Sequence, residues 1–199
     1  MVITYIIENS LYVNITNRCT NSCDFCIRNN GDSMGDSESL WLEKEPTKEE
    51  ILADIISRDL SAFKEIVFCG YGEPLCRQDD VVFVCKKIKD VSSITIRVNT
   101  NGHADLINGR STAKELEGLV DIISISLNAA NAKNYQDICH SDFGEDSFKA
   151  VVAYATDCMK YIKKVLLTVV DVISPEEIEK CRIIAEEIGA EFRVRAMIE

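Results

Sequence analysis

The segment Cys19-Thr20-Asn21-Ser22-Cys23-Asp24-Phe25-Cys26 puts three thiols into eight residues. Thiolates so close together are ligands for zinc or for iron–sulfur clusters. A structural zinc site is usually closed by four ligands in two spaced pairs. Here there is no second cysteine pair, and neither histidine, His103 or His140, stands beside a suitable partner. A [4Fe–4S] cube normally takes four cysteines, so three on one loop would leave one iron open to an outside ligand. The spacing favours iron–sulfur and leaves zinc as the alternative.

The chain has nine cysteines, an odd number, and Cys69, Cys76, Cys85, Cys139, Cys158 and Cys181 are scattered without paired spacing. Residues Met1 to Asn14 show no basic start followed by an apolar block and a cleavage site. Reduced thiols in a cytoplasmic compartment are therefore expected rather than a disulfide framework. Cys69 and Cys76 flank a glycine loop, where a radical relay or a second metal is conceivable, but the expectation for each is a small buried hydrophobe. His140 reads as a solvated loop residue.

Acidic residues outnumber basic ones by 33 to 22, for a net charge of −11. Such a field repels a polyphosphate backbone, so non-specific nucleic-acid binding is not expected, although a local basic site could still take a small anion. No apolar run approaches the roughly 20 residues of a membrane span. One domain, residues 1–199, is expected from the length.

The elements that would carry the cysteines begin with a hairpin, Val2 to Ile7 and Leu11 to Thr16. The segment Asn29 to Pro46 is long for a connection, with Trp41 and Leu42 as its apolar anchor, and is the expected substrate-specific element. Helices are then predicted near Thr47 to Leu60, Asp79 to Lys89, Thr112 to Gly118, Ala132 to Cys139, Glu145 to Tyr161 and Pro175 to Ile188, the last ended by Gly189. Strands are predicted near Ile66 to Cys69, Ile94 to Asn99, Ile122 to Leu127, Lys164 to Val170 and Glu191 to Ala196. Strands alternating with helices indicate a parallel sheet with helical crossovers.

A parallel strand covered on both faces should be almost continuously apolar. Yet Tyr12, Asn14 and Thr16, then Thr95, Arg97, Asn99 and Asn101, then Ser124, Ser126 and Asn128 alternate with apolar neighbours. One face of the sheet must be polar and line a wet interior. The fold expected is α/β, a partial (β/α)6 TIM-like barrel with parallel strands and an N-terminal hairpin. Arg97, Arg193 and Arg195 fall on that polar face, where each should meet a carboxylate, the alternative being solvated arginines on an edge strand.

Cys-x3-Cys-x2-Cys with Phe25 before the last cysteine resembles the signature of the radical S-adenosylmethionine superfamily. Gly70-Tyr71-Gly72-Glu73-Pro74 is similar to that superfamily's Gly-Gly-Glu-Pro motif, with Tyr in place of one glycine. Thr100-Asn101-Gly102 and Ser126-Leu127-Asn128-Ala129 also have counterparts there. These motifs fall at the ends of successive strands, where parallel barrels place their sites. Asn17 to Cys23, Leu40 to Pro46 and Cys69 to Pro74 further resemble the TatD-linked radical proteins, a subgroup named for gene association.

The resemblance implies a [4Fe–4S] cluster on Cys19, Cys23 and Cys26, with S-adenosylmethionine chelating the open iron. Reductive cleavage would give methionine and a 5′-deoxyadenosyl radical that takes hydrogen from a substrate, the protein positioning the cofactor. It assigns Gly70, Tyr71, Gly72 and Glu73 to the cofactor's amino group, the glycines permitting close approach. Asn101, Ser126, Asn128 and Arg195 become polar contacts, and Phe25 packs near the adenine. An electron donor such as flavodoxin or ferredoxin is implied, with a small-molecule or peptide substrate. A glycyl-radical activating enzyme fits the same core, and an electron-transfer or zinc-structural module is the non-enzymatic rival.

Overall fold

The computed structural model describes residues 2–29, 31 and 39–197. Two short strands, β1 (Thr4–Ile7) and β2 (Ser10–Val13), pair antiparallel around a turn in which Glu8 has a φ of 53°. The expected hairpin is there. Five further strands follow: β3 (Glu65–Phe68), β4 (Thr95–Thr100), β5 (Ile122–Ser126), β6 (Lys164–Val170) and β7 (Glu191–Arg195). From β3 onward each lies beside its predecessor and parallel to it, in the order β1-β2-β3-β4-β5-β6-β7. Strand order never reverses, which is how a barrel is wound and not how a doubly wound sheet is built. β1 and β7 are unjoined edges, so the barrel is open, as the partial form requires.

The helices are α1 (Lys48–Ile56), α2 (Gln78–Val91), α3 (Ala104–Asn108), α4 (Ala132–Cys139), α5 (Asp146–Cys158) and α6 (Pro175–Ile188). Their starts are written locally. Thr47 and Glu50 form a reciprocal capping box at α1, and Ser174 caps α6 ahead of Pro175, whose missing N–H costs nothing in a first turn. Their apolar sides cover one face of the sheet. Val13, Phe68, Val98, Ile123, Ile125 and Leu167 are fully buried there with Val84, Ile88, Val151 and Ala185. Each such side chain contributes about 1.5–3 kcal/mol of transfer free energy. Because side chains alternate along a strand, Tyr12, Cys69, Arg97, Asn99, Ser124, Ser126 and Thr168 point to the helix-free face.

Three local expectations change. Between β4 and β5 the single short helix foreseen at Thr112 to Gly118 is a 3-10 turn, Ala113–Leu116, preceded by α3. Asp105 ties the two by accepting bonds from the backbone N–H and hydroxyl of Thr112, both at 2.8 Å. α1 stops at Ile56 rather than Leu60, because Asp59 caps a separate turn at Leu60–Ala62. In the long connection before α1, Leu40 is the anchor: it is fully buried against Tyr5 and Tyr71, and its carbonyl accepts a 2.7 Å bond from Asn14 Nδ2. Leu42 is buried as foreseen, while Trp41 stays 38% exposed. Residues 30 and 32–38 of that connection lie outside the described residues. No helix among the described residues is long and apolar enough to cross a membrane.

Candidate functional site

The cysteine loop follows β2 and is held from two directions. From one side, the end of α4 is laced to it: Ser22 N–H donates to Cys139 O (3.0 Å), Asp24 N–H to Ile138 O (3.1 Å), and Asp142 N–H to Thr20 O (2.9 Å). His140, the left-handed cap of α4, places Nε2 2.8 Å from Asp24 Oδ1. It is exposed as expected, yet it is a tie to the loop and not a free histidine.

From the other side comes the loop after β3. A Cβ at Gly70 would run into the side chain of Asn14, and one at Gly72 into the carbonyls of Thr16 and Arg18. The glycines are thus required by the close approach of the chain to itself. Glu73 is 3% exposed and accepts three bonds, from Leu75 N–H (2.9 Å), Thr100 hydroxyl (2.8 Å) and Asn101 N–H (2.6 Å). It joins the ends of β3 and β4. Burial pushes its carboxyl up to about 7, against the opposing pull of those donors. The Tyr71 side chain is buried beside Leu40, with its hydroxyl donating to Gly31 O at 2.9 Å.

Beneath the loop runs a buried network the sequence did not reveal. Asn101 Nδ2 donates to Thr20 Oγ1 (3.0 Å) and approaches Cys19 Sγ (3.9 Å). Thr20 Oγ1 also meets His103 Nδ1 at 3.1 Å. His103 Nε2 meets the Tyr135 hydroxyl at 3.3 Å, and that hydroxyl accepts from Asn21 Nδ2 at 2.9 Å. His103 is fully buried, and burial pulls its pKa down to about 4, so it is neutral at pH 7. Its place directly after Thr100-Asn101-Gly102 was the one available signal.

Cys19, Cys23 and Cys26 border a single cavity of about 170 Å³. Its other walls are Asn21, Phe25, Ile27, Asn101, Ser126, Asn128, Val170, Arg195 and the segment Ala196–Met197. The structure therefore brings together the three cysteines and five of the other residues singled out, Phe25, Asn101, Ser126, Asn128 and Arg195. Gly70, Tyr71, Gly72 and Glu73 do not border it; Glu73 reaches it through Asn101. Arg195 Nη2 lies 3.5 Å from Ser126 Oγ. Contrary to expectation it meets no carboxylate among the described residues, nor does Arg193, because β7 is an edge strand; only Arg97 does, 3.0 Å from Glu65. Cys69 and Cys76 are half-buried rather than buried, a second correction, because Cys69 directly follows β3 and Cys76 lies in a 3-10 turn, Pro74–Arg77, both outside the helix-covered core.

The donor set fits an iron–sulfur cube. Buried oxygens of Asn21 and Asn128 and the Nε of Arg195 have no partner, and all three residues line the cavity. Such orphans are costly unless something fills the space. Burial pushes the Cys19 thiol up to about 11, and its hydrogen bond with Cys139, then burial, pushes Cys23 up as well. Loading a metal must therefore drive off protons. Arg28 helps: its Nε lies 3.4 Å from Cys26 Sγ, and its Nη2 holds Asn21 O at 3.2 Å. Among the described residues no three His, Cys, Asp or Glu side chains converge tightly enough for one metal ion. A cube binds each thiolate at a different iron, so its ligands need only share a cavity, as these do.

A family model described as the Radical SAM superfamily matches residues 13–182. The chain is 32% identical over 137 residues to a protein named probable GTP 3′,8-cyclase from Methanothermobacter thermautotrophicus, covering 68% of this chain and 40% of that one. A protein of the same name from Methanocaldococcus jannaschii is 32% identical over 138 residues, 68% of this chain and 41% of that one. The chain thus spans about two fifths of the length of these relatives. Among solved structures, Streptococcus suis SuiB bound to S-adenosylmethionine superposes with a TM-score of 0.67 at 18% identity, over 96% of this chain and 38% of that one. HydG, a maturase of the [FeFe]-hydrogenase, gives 0.69 at 18%, over 96% and 42%. At that identity these likenesses establish the fold alone.

Proposed function

The chain belongs to the radical SAM superfamily, and from that premise we propose that it is the core of an enzyme that cleaves S-adenosylmethionine reductively and abstracts hydrogen from a small-molecule substrate. The observation that carries this reading is the single cavity shared by three cysteines and the polar residues at the ends of β4, β5 and β7. When bound, a cluster and S-adenosylmethionine supply one-electron cleavage of a carbon–sulfur bond and with it hydrogen-atom abstraction.

The chain's own residues supply position and shelter. Cys19, Cys23 and Cys26 would hold the cluster, and the Arg28 guanidinium would offset part of their negative charge. Asn101, fixed by Glu73 and Thr20, keeps an amide beside Cys19. Ser126, Asn128 and Arg195 offer a hydroxyl, an amide and a guanidinium to the polar parts of the cofactor. Phe25, Ile27 and Met197 give the cavity part of its apolar wall. A flavodoxin or ferredoxin would deliver the electron.

Two finer readings have particular support. The motifs at Asn17 to Cys23, Leu40 to Pro46 and Cys69 to Pro74 favour the TatD-linked lineage. The 32% identity to proteins named as GTP cyclases favours a purine nucleotide as substrate.

The test is anaerobic. Reconstituted protein with dithionite and S-adenosylmethionine is expected to release 5′-deoxyadenosine, and Cys19→Ala, Cys23→Ala or Cys26→Ala to reduce it at least a hundredfold. No release from protein with a full complement of iron would overturn the reading. Adding GTP then decides the nucleotide substrate, by whether release accelerates and the purine is consumed.

A further inference from the structure

A second cavity opens on the same helix-free face, at the N-terminal ends of the strands. It measures about 270 Å³, and Lys64, Arg97, Lys164 and Arg193 stand on its wall against one acid, Glu65. That is a concentration of positive charge in a chain whose net charge is −11. Glu65 answers Arg97, at 3.0 Å, and Glu191 answers Lys164, at 2.7 Å. Lys64 and Arg193 have no carboxylate in reach among the described residues. The Nε of Arg97 is buried without a partner, although its Nη2 also touches the Tyr12 hydroxyl at 3.4 Å. A donor left so is stabilised by an acceptor entering from the cavity. Two surplus cations and an orphaned guanidinium N–H facing one concavity are the chemistry of an oxyanion receptor.

The strand register places this receptor relative to the cysteine cavity. Ile122 pairs with both Arg97 and Lys164, and Ser126, on the wall of the cysteine cavity, lies four residues further along β5. At roughly 3.3 Å per residue the two are about 13 Å apart along one face.

We propose that the lower cavity anchors a phosphate or carboxylate of the substrate, so that the substrate is a small molecule whose oxyanion lies about 13 Å along the sheet from the wall of the cysteine cavity. Resting on the reaction proposed above, this adds the class and reach of the substrate. Arg193 and Lys64 supply the charge, and Arg97, oriented by Glu65 and Tyr12, supplies the directed N–H.

Calorimetric titration of the cluster-loaded protein at low salt tests this, with neither cofactor nor reductant present. The probes are inorganic pyrophosphate and glutarate. One of them is expected to bind with a stoichiometry of one: pyrophosphate alone identifies a phosphate ester, glutarate alone a carboxylate. Arg193→Gln should weaken the binding at least tenfold with iron content unchanged, because that side chain is exposed and has no partner among the described residues. Lys180→Gln, an equal loss of charge on α6, should leave the affinity unaltered. Failure of both probes to bind, or equal weakening by Arg193→Gln and Lys180→Gln, would overturn the proposal. Absence of S-adenosylmethionine cleavage leaves this readout untouched, so the two readings fail separately.

Discussion

At the C-terminal ends of the strands, Glu73, Asn101, His103 and Asn128 are at most 8% exposed, and short buried hydrogen bonds join Glu73, Asn101 and His103 to Thr20 and Thr100 without an ion pair. Some 13 Å down the same face, Lys64, Lys164 and Arg193 are exposed, and where they are joined it is by ion pairs. One sheet thus ends in two different environments. The upper end fixes the shape of a loop whose three thiols must reach one object. The lower end offers charge, which needs no fixed shape and is weakened by salt. The contrast teaches that affinity for a cluster here is a matter of folding, and affinity for an anion a matter of field.

Breaking the upper end should have the larger effect. Glu73→Gln places an amide N–H among donors that all point at a carboxylate, so at least one buried bond is lost. Bonds to a charged acceptor are worth about 1.5–3 kcal/mol each. A loss of about 3 kcal/mol in chemical denaturation is expected, together with poorer retention of iron after reconstitution. Unchanged stability would show that the upper end is not held through Glu73.

The next effect separates the ends by pH. His103 has its folded pKa lowered from 6.5 to about 4. The unfolded chain therefore binds the proton first, and the stability this histidine contributes is full above about pH 6.5 and is lost as pH falls toward 4. Between pH 7 and pH 4.5 the wild type should lose about 2–3 kcal/mol more than His103→Gln, which keeps a donor and an acceptor but does not titrate. Parallel pH profiles would mean that His103 is not buried and neutral.

Much of this was legible from residue order. The alternation of Arg97 and Asn99 with Ile96 and Val98 announced a polar face, and the cysteine spacing announced three thiols at one cavity. Two kinds of fact were not legible. The first is pairing across long separations: nothing near Thr20 and Asn21 names His103 and Tyr135 as their partners, which lie 83 and 114 positions further along the chain. The second is which of two adjacent apolar residues turns inward. Trp41 and Leu42 stood out in sequence as the anchor, yet Leu40 is fully buried and Trp41 is 38% exposed. The glycines at 70 and 72 were correctly read as close approaches, but the approaching group is the chain itself.

The central claim is that three cysteines leave one iron free for the cofactor. Electron paramagnetic resonance of the reduced, reconstituted protein, recorded before and after S-adenosylmethionine is added, tests it most directly. The expected result is a cluster signal whose g-values shift on addition, because the iron without a cysteine gains a ligand. A signal that S-adenosylmethionine leaves unchanged, or a reconstituted protein that retains zinc in place of iron, would contradict it.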